Sequence, residues 1–209
     1  MLVDLTVKDF LEKVASNEPI PGGGSVAALH GAIASSLTAM VGGLTIGKKG
    51  YEEHTELMEH IVEQARDFMN ALQHEIDRDA EAYDKVFACF KMPKSTDEEK
   101  AARSAAIQDA TRFAAAVPMV VASNACELMD FIMDVVLLGN RNAITDACVA
   151  MISARSAVLS ALLNVRINLT SIKDKEYVAF MKEEADRLEE KALALESKVI
   201  QLVKQELES

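Results

Sequence analysis

A single aspartate in this chain falls on the apolar side of a long helix, which is an unusual place for a carboxylate. The segment from about Glu52 to Lys91 has helical periodicity, and Asp79 lies in the middle of its apolar stripe. Burial of a carboxylate is costly unless the group is paired, hydrogen-bonded or protonated. We therefore expect Asp79 to be partly buried. The other positions of the stripe are Ile61, Ala65, Phe68, Leu72, Ile76, Tyr83, Val86 and Phe90.

Two interpretations of Asp79 follow from this position. It is either a structural aspartate that bonds a polar group of another helix, or an acid/base or counter-charge for a cationic substrate. The neighbouring acids Asp77, Glu81 and Asp84 fall on the polar side of the same helix, so we expect them to face solvent. Asp79 is therefore the candidate for chemistry on this helix.

A glycine-rich loop opens the second predicted helix. The motif PGGGS comprises Pro21, Gly22, Gly23, Gly24 and Ser25, and the serine can cap the helix. The glycines leave backbone N–H groups uncovered at a helix N-terminus, where free donors and the helix dipole attract anions. The alternative is structural, a loop that turns sharply between two closely packed helices.

Polar residues also share one face of a helix from about residue 145 to residue 169. They include Asp146, Asn164 and Asn168, with small residues between them. Asp146 and Asn164 are roughly 27 Å apart along a helix, so both cannot contact one small ligand group in one subunit. They serve either different ends of a long ligand or different sites. The structural alternatives are interhelical hydrogen bonds for the asparagines and a first-turn acid favoured by the helix dipole at Asp146.

The elements that must position these residues are all helices. Alanine, leucine, methionine, glutamate and lysine dominate the composition, and the sequence has no convincing strand pattern. We predict one all-α domain over residues 1–209, a bundle of long helices. The six helices span about 6–16, 25–45, 52–91, 97–138, 145–169 and 173–206, with a kink at Pro118 and Gly139 as a C-terminal cap.

Charge and composition bear on partners and location. The formal net charge is -11, whereas nucleic-acid binding needs a basic face to neutralise phosphates, so we expect no nucleic-acid partner. The N-terminus carries acids and lacks the basic segment of a signal peptide. Cys89, Cys126 and Cys148 have no metal spacing, and we expect reduced thiols in a cytoplasmic protein without a metal site.

Two long apolar patterns allow more than one interpretation. Residues 26–46 are long enough for a membrane span, but they are mostly alanine and glycine, which favours a buried core helix and no membrane partner. The last helix has a heptad seam from Met181 to Leu202. That seam fits either packing on its own domain or a contact between subunits.

Six short motifs occur in order along nearly the whole chain. They are PGGGSVAA, LTIGKKGY, DRDAEAYDKV, MPKSTDEEKAAR, GNRNAITDA and LNVRINL. Together they resemble the cyclodeaminase domain of formiminotransferase-cyclodeaminase and its stand-alone bacterial relatives, which include methenyltetrahydrofolate cyclohydrolases. The resemblance implies an all-helical homodimer with a folate substrate and no cofactor beyond that tetrahydrofolate derivative. It also implies the stand-alone form, without a formiminotransferase domain.

The resemblance assigns roles to individual residues. The family's catalytic aspartate is the second acid of its D-x-D-A motif, which is Asp79 in this sequence. Lys48 and Lys49 would meet the substrate's glutamate tail or stabilise an oxyanion, and Asp146 would pair with the pterin N–H donors. The family's substrate-binding segments match Pro21, Gly22, Gly23, Gly24, Ser25, Lys48, Lys49, Asn140, Asp146, Asn164 and Asn168.

The family has two activities, and both act on the one-carbon unit that bridges N5 and N10 of tetrahydrofolate. A cyclohydrolase adds water to the methenyl carbon and gives 10-formyltetrahydrofolate, whereas a cyclodeaminase closes 5-formiminotetrahydrofolate and releases ammonia. The TIGKKGY and TDEEKAAR stretches look closer to the cyclohydrolases, so we expect a methenyltetrahydrofolate cyclohydrolase. The cyclodeaminase is the alternative. A non-enzymatic helical scaffold or ligand carrier is a further alternative, although it does not explain a carboxylate inside an apolar stripe.

Overall fold

The computed structural model describes residues 1–208, and its regular elements are all helical. Short 3-10 turns precede three of the α-helices, at Leu2–Asp4, Glu52–His54 and Arg141–Ala143. The prediction of an all-α chain is confirmed. The α-helices are α1 (Val7–Val14), α2 (Gly23–Gly43), α3 (Thr55–Phe90), α4 (Asp97–Leu138), α5 (Ile144–Leu169) and α6 (Lys175–Glu208).

Four helices form the bundle, and each packs on its neighbours around a common core. Helix α2 packs on α3 and on α5, and α4 packs on the same two helices from the other side. Small residues let α2 approach closely, since a Cβ on Gly31 would stand only 2.9 Å from the side chain of Leu72. Helix α6 covers α4 and α5.

The heptad seam of α6 packs on the chain's own core. Its residues are buried or half-buried against α4 and α5, which favours the first of the two interpretations of this pattern. The fully buried positions of the seam are Met181, Ala185, Leu188, Ala192 and Val199.

Helix α4 runs unbroken through Pro118, where the sequence predicts a kink. Proline has no N–H, so the carbonyl of Ala114, four residues earlier, loses its helical partner. Asn168 on α5 donates its Nδ2–H to that carbonyl at 2.8 Å. This interhelical bond replaces the missing one and joins α4 to α5. Helix α4 then ends at Leu138 with Gly139 as its C-cap, as predicted.

Two predictions about polar groups are corrected by the structure. Helix α2 begins at Gly23, so Ser25 lies inside the first turn and does not cap the helix. Asp77, expected in solvent, is half-buried, and its carboxylate accepts hydrogen bonds from the N–H groups of Leu2 at 2.6 Å and Val3 at 3.3 Å. Helical periodicity misplaces Asp77 because it gives no sign of the N-terminal turn that covers this side of α3.

Helix α2 and the stretch Arg141–Leu169 are long and apolar enough to cross a membrane, judged by length and composition alone. Only 50% and 44% of their most apolar windows are buried inside the chain, although the two helices pack against each other. Their outward sides leave a set of exposed apolar side chains that we call the α2–α5 face. It consists of Ile33, Met40, Leu44, Val149, Ile152, Leu163 and Ile167, each between 38% and 65% exposed.

Candidate active site

The carboxylate of Asp79 lies against the first turn of α2, directly after the glycine-rich loop. Its Oδ2 accepts a hydrogen bond from the backbone N–H of Ser25 at 2.8 Å, and the Ser25 hydroxyl lies 3.1 Å from the same oxygen. The single hydroxyl hydrogen is shared with the carbonyl of Ile76, 2.9 Å away. The anion predicted at this helix N-terminus is therefore a carboxylate of the chain itself, which the free N–H groups and the helix dipole stabilise.

The surroundings of Asp79 change its acidity. Burial raises the pKa of the Asp79 carboxyl above the ordinary aspartate value, and the hydroxyl and N–H of Ser25 oppose this effect without cancelling it. Both Ser25 groups contact Oδ2. Oδ1 accepts no hydrogen bond from any group within residues 1–208. A carboxyl with a raised pKa and an oxygen left without a protein donor is suited to accept a proton and return it.

Glycine is required where α2 approaches these side chains. A Cβ on Gly24 would overlap the Asp79 carboxylate, and a Cβ on Gly23 would stand 3.2 Å from Nδ2 of Asn164. Neither glycine has a positive φ. The loop therefore uses glycine for close approach, as the structural interpretation of the motif proposes, and brings bare backbone to the side of the carboxylate.

A cleft of about 330 Å³ opens beside Asp79. The glycine-rich loop forms one wall, and α3, α4 and α5 form the others. The cleft combines one carboxylate, two amide side chains and apolar surface, which suits a largely aromatic ligand with a few polar groups. Its lining residues are Pro19, Ile20, Gly22, Gly23, Gly24, Asp79, Ala82, Tyr83, Val86, Ala114, Asn164, Ile167 and Asn168.

The two asparagines of α5 are fixed by their amide nitrogens. Asn164 donates Nδ2–H to the carbonyl of Ser160 at 2.8 Å, and Asn168 donates to the carbonyls of Ala114 at 2.8 Å and Asn164 at 2.9 Å. Their Oδ1 atoms make no hydrogen bond with residues 1–208. Both side chains are therefore oriented by the protein and keep an acceptor for a ligand in the cleft.

Comparison with known proteins decides the family. A family model described as formiminotransferase-cyclodeaminase matches residues 6–187. The chain belongs to this family. The methenyltetrahydrofolate cyclohydrolase of Methylorubrum extorquens is 39% identical to it over 199 residues, which are 95% of this chain and 96% of that protein.

Two further relatives show the range of the formiminotransferase-cyclodeaminase family. The formimidoyltransferase-cyclodeaminase of Rattus norvegicus is 31% identical over 173 residues, 83% of this chain but 32% of the rat protein. The crystal structure of formiminotetrahydrofolate cyclodeaminase from Thermotoga maritima matches with a TM-score of 0.88, at 31% identity and 98% coverage of both chains. The resemblance seen in the sequence motifs is confirmed.

The site residues predicted for this family member separate into two groups in the chain. The glycine-rich loop, Asp79, Asn164 and Asn168 meet at one end of α2. The second group lies beyond the other end of α2, which spans 21 residues or roughly 30 Å. It consists of Lys48, Lys49, Asn140 and Asp146. One chain therefore does not bring all the predicted residues to one ligand.

The second group is organised around the side chain of Asn140, which is buried. Lys48 donates from Nζ to Asn140 Oδ1 at 2.6 Å, and Asn140 donates from Nδ2 to the carbonyl of Leu44 at 3.1 Å and from its N–H to Oγ1 of Thr45 at 2.9 Å. Lys49 is exposed, and Lys48 is half-buried. The polar atoms of Asn140 are thus bonded to other groups of the protein, and Asn140 holds the Lys48 ammonium in place.

Two residues of the glycine-rich loop were expected to contact substrate and do not line the cleft. Pro21 is buried, and Ser25 has no exposed surface. Their contact with substrate stays a prediction. The N–H and hydroxyl of Ser25 face Asp79, so Ser25 positions the carboxylate.

Sequence reasoning assigned no role to several lining residues of the cleft. Ala114 is the least obvious of them, because its importance comes from a carbonyl that Pro118 releases. The one sequence signal for Ile167 was its position directly before the predicted Asn168; the structure shows that it is 65% exposed. Within residues 1–208 no group of three or more His, Cys, Asp or Glu side chains is placed to hold a metal ion.

Proposed function

We propose that this chain is a cytoplasmic enzyme that hydrolyses 5,10-methenyltetrahydrofolate to 10-formyltetrahydrofolate. The observation that carries the proposal is Asp79, a half-buried carboxyl with a raised pKa that borders an open cleft. The Methylorubrum extorquens relative, of which this chain matches 96%, is named for this activity. The folate derivative is the substrate, and the chemistry described here uses no further cofactor.

The charge of the substrate explains why one carboxylate is useful here. The methenyl bridge between N5 and N10 is a delocalised amidinium cation, and its carbon is an electrophile. A carboxylate beside it in a site of reduced polarity stabilises that cation more strongly than water does. The Oδ1 atoms of Asn164 and Asn168 can accept hydrogen bonds from the pterin N–H groups. The bare backbone at Gly23 and Gly24 lets α2 approach Asn164 and Asp79 closely and so holds the carboxylate at the cleft.

Asp79 then moves one proton in each half of the reaction. It takes a proton from the water whose oxygen bonds to the methenyl carbon, which gives a neutral tetrahedral carbinolamine. It returns that proton to N5 as the bond between carbon and N5 breaks, and the hydroxyl hydrogen leaves as H⁺ to form the formyl group on N10. General acid–base help of this kind contributes about 10² to 10⁴ in rate.

Formimidoyltetrahydrofolate cyclodeaminase activity is the second candidate. It is favoured by the match to the Thermotoga maritima cyclodeaminase, which covers 98% of both chains with a TM-score of 0.88. In that reaction N10 adds to the formimino carbon, and the same carboxyl would protonate the departing amine. Both reactions need an acid/base residue at the bridging carbon, so Asp79 fits either.

A paired assay distinguishes the two reactions. Purified protein is mixed with 5,10-methenyltetrahydrofolate, and the near-ultraviolet absorbance of the methenyl group is followed; a loss faster than the spontaneous rate supports the hydrolase. The same protein is mixed with 5-formiminotetrahydrofolate, and ammonia is measured. Ammonia release without methenyl hydrolysis would replace the first proposal by the second, and inactivity in both assays would support a carrier or scaffold.

We also propose that the enzyme is a homodimer in which the α2–α5 face meets the same face of a second copy. Seven exposed apolar side chains on two adjacent helices form a patch of the kind that protein–protein contacts cover. The predicted site residues lie at the two ends of α2. A two-fold axis near the middle of α2 would place the partner's α2 antiparallel to this one.

Such an arrangement would bring the Lys48 and Asn140 of a second copy toward the cleft of the first. The half-site with an anionic carboxylate would then face the half-site with two lysines, and each dimer would have two complete sites. In that position Lys48 is suited to stabilise the developing oxyanion of the carbinolamine.

The oligomeric state tests this proposal. Sedimentation at several concentrations is expected to give a dimer, and the double variant Ile33→Glu and Leu163→Glu is expected to give a monomer with its helical signal retained. The pair Glu56→Gln and Glu59→Gln on α3 is the control. A wild-type protein that is monomeric at micromolar concentration, or that pellets with lipid vesicles through this face, would contradict the proposal.

A further inference from the structure

A second cavity, outside the cleft, has a charge that contrasts with the rest of the chain. It has a volume of about 380 Å³ and lies where the loop after α3, the N-terminal part of α4 and the segment before α6 meet. Four of its lining residues are basic and none is acidic, in a chain with 33 acidic and 22 basic side chains. We call it the basic pocket. Its lining residues are Lys94, Lys100, Arg103, Ser104, Ile107, Gln108 and Lys173.

The basic side chains of this pocket are held in place. The guanidinium of Arg103 lies 5.7 Å from the centre of the Phe90 ring and donates from Nη2 to the Phe90 carbonyl at 3.2 Å. Lys173 lies on the opposite wall, where Gln108 accepts its backbone N–H at 2.8 Å. Arg103 keeps donors of its planar group for an anion, and the two walls are fixed relative to each other.

The basic pocket continues the cleft along the same helices. On α4, Ala114 lines the cleft, and Ile107 and Arg103 line the pocket, at spacings of seven and four residues that keep them on one side. The distance from Ala114 to Arg103 is roughly 16 Å along the helix axis. On α5 and the segment after it, Asn168 borders the cleft and Lys173 borders the pocket.

Helix α3 provides the matching side of this path. Asp79, Tyr83, Val86 and Phe90 follow each other at spacings of four, three and four residues, so they share one face. Tyr83 is 41% exposed and Phe90 is 53% exposed. Exposed aromatic rings between a carboxylate and a basic pocket offer stacking surface for an aryl group whose two ends differ in charge.

We propose that the basic pocket binds the carboxylates of the γ-linked glutamyl tail of the substrate. This inference rests on the proposed folate function, because it assumes that the cationic one-carbon bridge lies at Asp79. The aminobenzoyl ring would then lie along Tyr83, and the tail would reach Arg103, Lys100 and Lys173. Each added glutamate brings one more carboxylate to a cluster of four basic side chains, of which Lys100 also pairs with Asp97 at 2.8 Å. The tail therefore leaves the cleft along α3 and α4, and it does not require Lys48 or Lys49.

The test compares substrates that differ only in the tail. With wild-type protein, the KM for tetraglutamyl 5,10-methenyltetrahydrofolate is expected to be about tenfold lower than the KM for the monoglutamate, as several exposed ion pairs would give. Rising salt should reduce this ratio. In the triple variant Lys100→Gln, Arg103→Gln and Lys173→Gln, the KM for the tetraglutamate should rise more than the KM for the monoglutamate, so that the ratio falls to about one. The control Lys182→Gln, Lys198→Gln and Lys204→Gln removes equal charge from exposed positions of α6 and should keep the ratio.

A binding measurement separates failure of this inference from failure of the proposed function. Free tetra-γ-glutamate is titrated into wild-type protein and into both triple variants by calorimetry. Binding that only the pocket variant loses supports the pocket even if no folate is turned over. Turnover of both substrates with equal KM, or a tail preference that the pocket variant keeps, would overturn the inference and leave the hydrolase standing.

Discussion

The polar side chains at the two ends of α2 differ in how far the protein uses their hydrogen-bonding atoms. At the N-terminal end, one carboxylate oxygen of Asp79 and the amide oxygens of Asn164 and Asn168 accept no hydrogen bond from the described residues 1–208. At the C-terminal end, Oδ1 of Asn140 accepts from Lys48 and from the N–H of Asn142, and its Nδ2 donates to the carbonyl of Leu44. The N-terminal end of α2 therefore has free acceptor atoms for a substrate, whereas the C-terminal end holds the Lys48 ammonium in place. The strongest test of this contrast is to remove the acid of the first end.

The Asp79→Asn variant is expected to show the largest effect. It keeps the size of the side chain but cannot exchange a proton, so kcat should fall by about 10² to 10⁴. Asp84→Asn changes an exposed acid of the same helix and should leave kcat unchanged. Full activity of Asp79→Asn in the methenyl absorbance assay would remove Asp79 from the mechanism.

The same variant should be more stable than wild type at neutral pH. Because burial raises the pKa of Asp79 in the folded state, the unfolded chain releases this proton at lower pH, and the ionised carboxylate opposes folding. The gain in the free energy of unfolding from Asp79→Asn should therefore be absent when the pH is below the ordinary aspartate pKa, about 3.9. It should grow as pH rises and level off above the raised pKa. Thermal melting at a series of pH values measures it.

Gly24→Ala tests how closely the two parts of the first end must approach. The added Cβ would overlap the Asp79 carboxylate, so the carboxylate or α2 must move, and a shift of this size costs about 10² in rate. Gly43→Ala is the matched control, because no atom of the described residues lies within 4 Å of a Cβ added there. That variant should melt at the same or a higher temperature with normal activity. Equal activity of both variants would show that the close approach at Gly24 has no catalytic role.

Lys48→Ala tests whether the second end takes part in catalysis. We expect kcat to fall about tenfold, less than for a buried oxyanion donor, because the side chain is half-exposed. Lys49→Ala should have little effect, since Lys49 is exposed and Lys48 is the lysine that Asn140 holds.

Mixed dimers then show whether the two ends meet across subunits. If they do, a dimer of one Asp79→Asn chain and one Lys48→Ala chain has one intact site. Co-expression of both variants should give about a quarter of wild-type activity, because about half of the dimers are mixed. The two variants purified separately and combined without subunit exchange should give about a twentieth. The mixed dimers can be isolated through two different tags. If they are inactive, the two ends of α2 do not form a shared site across subunits.

Ser25→Ala should have the smallest effect. The hydroxyl of Ser25 lowers the pKa of Asp79, so its removal should raise that pKa further. Since the carboxylate form takes the proton from water, the acidic limb of kcat/KM should move to higher pH. The shift should be small because the hydroxyl hydrogen is shared with the carbonyl of Ile76. A shift to lower pH would contradict the assignment of Asp79 as the base.

The sequence allowed the helices and Asp79 to be predicted because both depend on local periodicity. It did not allow the partners to be predicted, because they lie far away in the chain. Ser25 has the residue type and position of a helix cap, yet its partner Asp79 is 54 residues away. Asp77 faces the polar side of α3, but the N-terminal turn covers that side.

The same limit applies to the second end of α2. Lys48 and Asn140 were both predicted as substrate contacts, and they bind each other across 92 residues. Composition predicted an acidic chain, but it does not locate clusters of basic residues, because it averages over the whole surface. Lys100, Arg103 and Lys173 meet only when α4 and the segment before α6 come together.

The proline within α4 has a consequence for how the cleft responds to its ligand. The carbonyl that Pro118 releases is held by Asn168, and the same asparagine borders the cleft. The spacing between α4 and α5 at this wall is therefore set by a backbone group and one amide, which tolerate little stretching. We therefore expect this wall to keep its position when a ligand binds. If folates of different width enter the cleft, the glycine-rich loop on the opposite side should be the part that moves.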